Sequence, residues 1–163
     1  MAHVAVIRLR NQNGELLILL RNTRPFGHCL PGGKIDAGET SSEAALRELG
    51  EETGISTIGI TLTFVGTMKS FDDKDVDIFD GYYDTSSPTA TPIKLNKREH
   101  MSYRWTKDFT GLAFAGNTKD FIECGTQHMP EALSRTADRL LMGMALDKIM
   151  EGGIPADKIA NVE

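Results

Sequence analysis

Cysteine and tryptophan are scarce: the 163-residue chain has two cysteines and one tryptophan. Cys29 and Cys124 lie far apart, and neither belongs to a CxxC pair. Zinc ribbons and thioredoxin-like motifs are therefore excluded. One bridge between the two is conceivable, but nothing else in the sequence favours it, and both read as buried thiols of a reducing cytoplasm. No stretch approaches the roughly 18 apolar residues of a membrane span. Arg8 and Arg10 interrupt the N-terminal apolar stretch, so it does not read as a signal peptide. The expectation is a cytoplasmic protein without a membrane partner. An excess of basic residues is also missing, since the formal net charge is −5 and the pI about 5.4. A long nucleic-acid footprint needs a basic stripe, so no such partner is expected. Small phosphate ligands stay open, because a bound divalent ion can bring the positive charge.

What is present is ordinary in bulk: 40% hydrophobic and 25% charged residues. That suits a single domain over 1–163 with a real core. Val4 to Leu9 reads as a strand, Asn13-Gly14 as a turn, and Leu16 to Leu20 as a returning strand buried on both faces. Arg21 to Gly38 is loop-like, with repeated Pro and Gly. Thr40 and Glu43 form a capping-box pattern, and Gly54 a stop, which predicts a helix between them. Thr57 to Val65, Asp77 to Tyr83 and Ser102 to Thr106 read as strands. Thr85 to Asn96 reads as a loop. Pro130 opens a second long helix reaching about Glu151, with Leu133, Ala137, Leu140, Leu141, Met144 and Ile149 on or near its buried face. Neither internal repeats nor low-complexity tracts occur. The order predicts a mixed-sheet α/β or α+β domain.

The chemistry concentrates between Gly33 and Ile55. At about 100° per helical residue, Glu48, Glu51 and Glu52 share roughly a 100° arc. Leu46, Leu49 and Thr53 take a neighbouring arc that can face the core. Like charges this close repel by about 0.2–0.5 kcal/mol per pair, and a solvated acidic face is the commoner outcome for such a cluster taken alone. A hard divalent cation reverses the balance: Mg²⁺ prefers oxygen ligands and keeps several waters. Ions bridged by these glutamates could polarise a phosphoryl oxygen and activate a water. Arg47 stands four residues before Glu51 and could orient it. Pro31-Gly32-Gly33 lets backbone approach a ligand closely and offers a carbonyl to a metal shell. A Gly-rich loop followed by a capped helix of clustered glutamates is far more specific than either alone.

The segment resembles the Nudix box, G-x5-E-x7-R-E-U-x-E-E-x-G-U with U aliphatic. It matches at every defined position: Gly33, Glu39, Arg47, Glu48, Leu49, Glu51, Glu52, Gly54 and Ile55. Flanking runs are also similar: Leu16 to Arg21, Gly27-His28-Cys29-Leu30-Pro31-Gly32-Gly33, and Glu99-His100 with Tyr103-Arg104-Trp105. His28 departs from the tryptophan that many members carry there. The resemblance spans most of residues 4 to 106, and the last third matches nothing specific beyond a closing helix. It implies a Nudix-type α/β/α sandwich with a mixed β-sheet and Mg²⁺ as cofactor, with Mn²⁺ as the alternative. The implied reaction is hydrolysis of a nucleoside diphosphate linked to a group X. Carried over by position, Glu48, Glu51, Glu52 and the Gly33 carbonyl are metal ligands, Arg47 orients the glutamates, and Glu39 supports the loop. The general base varies in the family. Glu48 leads here, followed by Glu99, with Asp72 and Asp73 also open.

A pyrophosphate linkage carries negative charge that must be neutralised before water can attack in line. Arg21, Arg24, His28 and Lys34 could meet the distal phosphates, or could lie in a solvated loop without contact. Phe26, Phe71, Phe79 and Tyr83 could stack on a base, although a core or loop role is commoner, and Trp105 reads as core. His3, His100 and His128 form no metal-ligand spacing and are assigned no role. Downstream of the box, Lys69, Ser70, Phe71 and Asp72 stand where a proline would point to ADP-ribose and a tyrosine to dinucleoside polyphosphates. The S-Q-P-W-P-F-P run of NADH-cleaving members is missing too. The default substrate is therefore a nucleoside triphosphate. Nucleotide sugars, dinucleoside polyphosphates, capped RNA ends and a non-catalytic nucleotide-binding regulator remain the alternatives. Family members are often dimers, so a homodimer is compatible, though no interface is legible. Thr85 to Asn96 and Gly125 to Met129 are the segments expected to carry specificity.

Overall fold

Two strands bury side chains on both faces, and the layers follow from them. Ala5, Ile7 and Leu9 point to one side of the first strand and Val6 to the other. In the second strand, Leu17 and Leu19 oppose Leu16 and Ile18. A strand with both faces apolar needs cover on both. Each fully buried aliphatic side chain here contributes about 1.5–3 kcal/mol.

The structure is a computed structural model that describes residues 2–125. The elements run β1 (Ala2–Arg10), β2 (Leu16–Arg21), β3 (Gly27–Cys29), β4 (Gly32–Lys34), α1 (Ser41–Thr53), β5 (Thr63–Lys69), β6 (Asp75–Tyr82), β7 (His100–Thr106) and α2 (Thr118–Glu123). By backbone contacts the chain divides after Cys124, and all of these elements belong to the unit before that point. The sheet has seven strands in the order β3-β2-β1-β6-β5, with β4 also paired to β1 and β7 to β2. β1 and β6 are parallel, and the remaining pairings are antiparallel. The mixed sheet expected from the sequence is present. Ala44, Ala45 and Leu49 of α1 cover the Ile7–Leu19 face, while Phe121 of α2 and Cys124 cover the Val6–Ile18 face.

The first hairpin, its Asn13-Gly14 turn and the β1 and β2 strands stand where the sequence places them. Asn11 braces that turn, its side-chain oxygen accepting from the N–H groups of Asn13 and Glu15. The loop reading of Arg21 to Gly38 is too coarse, because it contains the short strands β3 and β4. Three-residue strands are too short for an alternation to register.

The strand expected over Thr57–Val65 is displaced. Residues 57–60 form a turn closed by Ile60 N–H on the Thr57 carbonyl, and Gly59 sits there at φ 87°. The strand begins at Thr63, passes through Gly66, and reaches Lys69. It pairs with β6 across the Ser70–Lys74 turn. β6 and β7 each begin two residues before the expected start. The six-residue α2 shows no readable period in the sequence. The helix expected from Pro130 to about Glu151 lies outside the described residues.

Candidate active site

α1 begins and ends as its sequence dictates. The Thr40 hydroxyl accepts from Glu43 N–H, and the Glu43 carboxylate accepts from Thr40 N–H, satisfying two orphan donors. Gly54 caps the other end in the left-handed region. Leu49 and Thr53 are fully buried and Leu46 packs against the same core, as the helical arc requires. The adjacent edge therefore presents Glu48, Glu51 and Glu52 in graded environments: Glu51 exposed, Glu48 half-buried, Glu52 only 4% exposed.

Arg47 gathers the acidic groups. Its Nε donates to Glu39 at 2.6 Å and its Nη2 to the other Glu39 oxygen at 3.0 Å. Nη1 reaches Glu48 at 3.1 Å and Glu51 at 3.2 Å, and Nη2 also meets the Lys34 carbonyl at 3.0 Å. The Glu39 carboxylate accepts from Asp36 N–H, which closes the loop between β4 and α1. The hydrogen bond from Arg47 holds the Glu39 carboxyl below its ordinary range. Loop, helix and the two outer glutamates thus share one guanidinium fork.

Glu52 is held differently. Its Oε1 accepts from Gly32 N–H at 3.0 Å. Burial pushes its carboxyl well above the usual range; the Gly32 hydrogen bond opposes this, while Glu48 and Glu99 add to it. Burial also raises Glu48, against the pull of Arg47. The loop before β7 reaches the C-terminal end of α1, where Asn96 N–H donates to the Glu52 carbonyl and Lys94 N–H to that of Thr53. The segment expected to carry specificity therefore also satisfies carbonyls that α1 leaves open. Asn96 then turns the chain, its carbonyl accepting from the N–H groups of Glu99 and His100. Glu99 and His100 arrive beside Glu52, and one ligand atom from each of the three lies within 4.8 Å of the others.

Gly33 touches the same constellation. A Cβ built on it would fall inside van der Waals contact of the Glu48 carboxylate. A cavity of about 450 Å³ opens in front of these residues. Arg21, Arg24, Gly33, Lys34, Phe71 and His100 are among its walls. The glutamates stand behind that wall, Glu52 against Gly32 and Glu48 against Gly33.

Of the cations expected to meet phosphate, Arg21, Arg24 and Lys34 line the cavity. Arg21 is braced by the carbonyls of Thr23, Arg24 and Pro25. His28 is not on this wall, and its Nδ1 lies 3.0 Å from the Ala113 carbonyl. Among the aromatics, Phe79 is buried, Tyr83 bonds to Thr91, and Trp105 packs on the core. Phe26 is exposed, with Arg24 over its ring. Phe71 is exposed on the cavity wall, its N–H held by Asn117 Oδ1. Asp72 is also on the wall, and Asp73 sits in the turn at φ 67°. Spacing along the chain assigns His100 no role. Its place beside Glu52 follows from β2–β7 register, which pairs it with Arg21. No local pattern carries that information.

The donor set suits a divalent cation. The buried Glu52 carboxylate, the exposed Glu99 carboxylate and the buried His100 imidazole face one another, and ionising Glu52 away from water is costly without a counter-charge. A bound cation supplies it.

A sequence model of the NUDIX domain matches residues 1–120. Over 54 residues the chain is 43% identical to an ADP-ribose pyrophosphatase of Methanocaldococcus jannaschii, covering 32% of each chain. Over 60 residues it is 43% identical to an 8-oxo-dGTP diphosphatase of Escherichia coli, covering 32% of this chain and 43% of that one. The matched segment thus spans less than half the length of either relative. The structure superposes on a MutT protein from Methanosarcina mazei with a TM-score of 0.55 and 28% identity, covering 74% of this chain and 88% of that one.

Proposed function

The chain belongs to the Nudix family, and from that premise we propose that it hydrolyses a diphosphate linkage in a nucleoside diphosphate bearing a further group, with a nucleoside triphosphate as substrate. The observation that carries this reading is Glu52 held against Gly32 and Glu48 against Gly33, behind the wall of a cavity that presents Arg21, Arg24 and Lys34. A volume of about 450 Å³ falls in the range of small-molecule sites. Relatives named for nucleotide diphosphate cleavage support the substrate class.

In this reading Glu48, Glu51, Glu52 and the Gly33 carbonyl would hold Mg²⁺, or Mn²⁺ in its place, which when bound would neutralise phosphoryl oxygens and lower the pKa of a water. The chain's own residues do the rest. Arg47 keeps the Glu48 and Glu51 carboxylates in register with the glycine loop. Arg21, Arg24 and Lys34 meet the phosphate charge. Water adds across one P–O–P bridge, forming a new P–O bond as the bridging bond breaks. Glu48 accepts the water's proton, a task suited to a carboxyl raised by burial. Phe71 offers an aromatic face to the base.

The test is a panel of nucleoside triphosphates, nucleotide sugars, dinucleoside polyphosphates and capped RNA with Mg²⁺, products identified by mass. Triphosphates should turn over fastest, and Glu52→Gln should lower turnover by about two orders of magnitude or more. Equal turnover by that variant would overturn the metal-site assignment. No cleavage of any substrate, with nucleotide binding retained, would favour the regulator instead.

A further inference from the structure

His100 is a buried group at the site that the hydrolytic reading leaves unused. It is 1% exposed. Its Nδ1 has no hydrogen-bond partner among the described residues, and its Nε2 meets Cys29 Sγ at 3.7 Å. An unpartnered buried ring nitrogen is costly, on the order of 1–3 kcal/mol. It is also the kind of donor that a metal ion satisfies. The Cys29 thiol is buried beside the ring, against the other ring nitrogen.

Position adds to chemistry. A ring nitrogen of His100 and one oxygen each of Glu52 and Glu99 lie within 4.8 Å of one another. Three elements fix this meeting: α1 brings Glu52, the turn at Asn96 brings Glu99, and the first residue of β7 brings His100. Glu52 spends one oxygen on Gly32 N–H. The outer edge of Glu48 and Glu51 offers oxygen alone, as a hard ion prefers. The inner group offers nitrogen with oxygen, which favours first-row transition ions such as Mn²⁺, Co²⁺ and Zn²⁺ over Mg²⁺.

We propose that Glu52, Glu99 and His100 form a nitrogen-containing cation subsite that takes a divalent transition-metal ion in preference to Mg²⁺. The proposal rests on the hydrolase reading for the outer glutamate edge and extends that site inward through Glu52, which the two ligand sets share.

Pulsed EPR of the full chain loaded with Mn²⁺ tests it without reference to activity. The wild-type spectrum should show ¹⁴N modulation from a bound imidazole. His100→Gln should lose it, and the Mn²⁺-over-Mg²⁺ affinity ratio by calorimetry should fall roughly tenfold or more. His28→Gln should retain it. The wild-type spectrum stands as evidence even if His100→Gln fails to fold, which circular dichroism would reveal. Mn²⁺ bound by the wild type without ¹⁴N modulation would overturn the subsite. So would modulation that persists in folded His100→Gln. In either case, Mg²⁺-supported turnover that is lost in Glu52→Gln would leave the hydrolase reading standing. Absence of both Mn²⁺ binding and turnover would overturn the two together.

Discussion

Gly33 and Glu48 fit together only because Gly33 has no side chain: the Glu48 carboxylate occupies the space a Cβ would fill. The first residue of the box and a glutamate of the helix are thus in direct steric register. Their spacing in sequence reflects a contact in space.

Gly33→Ala should therefore displace Glu48 while leaving the β4 pairing with β1 in place. We expect kcat/KM to fall by about 100-fold, the cost of a displacement near 1 Å at a reacting centre. Unfolding free energy should drop by only about 1–3 kcal/mol, as for other overpacked sites. Steady-state kinetics beside urea unfolding separate the two effects. A large stability loss with normal turnover of the folded fraction would refute the steric account.

Arg47→Lys keeps the charge but loses the fork that joins Glu39, Glu48 and Glu51. Such a positioning residue should lower kcat by about 10–100-fold. Its partly exposed ion pairs should cost only about 1 kcal/mol of stability or less. The distinguishing measurement is the divalent-ion titration, whose midpoint should move to higher concentration. An unchanged midpoint would remove Arg47 from the organisation of the glutamates.

The raised carboxyl of Glu52 predicts a pH signature. Between the ordinary carboxylate value of 4.5 and the raised folded value, the folded state binds the proton more tightly than the unfolded chain. Metal-free stability is therefore fullest below the ordinary value and falls as pH rises through the folded one. Glu52→Gln cannot ionise, so metal-free variant minus wild-type melting temperature should grow with pH across that window. Divalent-ion affinity of the wild type should rise over the same window, as the proton ceases to compete. Parallel melting curves at all pH values would contradict the burial account.

Arg8 provides a check away from the chemistry. It is 7% exposed, pairs with Asp80 at 2.5 Å, and donates to the carbonyls of Ile122 and Cys124 at the end of α2. Arg8→Met should cost about 2–4 kcal/mol in urea unfolding, because Asp80 and those carbonyls lose their partner. Turnover per folded molecule should hold. A loss below about 0.5 kcal/mol would place the tie between β1 and α2 among the neutral surface pairs.

Phe71→Ala should raise KM by about tenfold with little change in kcat, the effect of removing one base–aromatic stack of roughly 1–3 kcal/mol. The same variant should leave cleavage of inorganic triphosphate unaltered, if that compound is turned over at all. A kcat loss without a KM change would dissociate Phe71 from base binding.

The acidic helix was legible because its information is local. Capping groups, helical period and glycine stops all act within a few residues, so Thr40, Glu43, Gly54 and the shared arc of Glu48, Glu51 and Glu52 follow from spacing alone. The paired strands β1 and β2 were legible for the same reason, through a turn and two apolar runs. Strands β3 and β4 were not, since three residues hold no period, and their pairing to β2 and β1 is a long-range matter. The displaced start of β5 shows the limit of alternation as a signal. Thr57 to Val65 alternates well enough, but the Gly59 turn takes the first residues out of the sheet.

By itself the sequence determined the box, the acidic edge of α1 and the kind of ion such an edge attracts, because like charges on one helix face demand a counter-charge wherever the helix sits. Tertiary structure decided which of those glutamates is buried and which neighbours it meets. Glu52 lies under Gly32 because β4 passes over α1, and Glu99 and His100 reach it because β7 pairs with β2 after Asn96 turns the chain. Those meetings join residues 20 or more positions apart through tertiary packing and sheet register, and no local pattern encodes them.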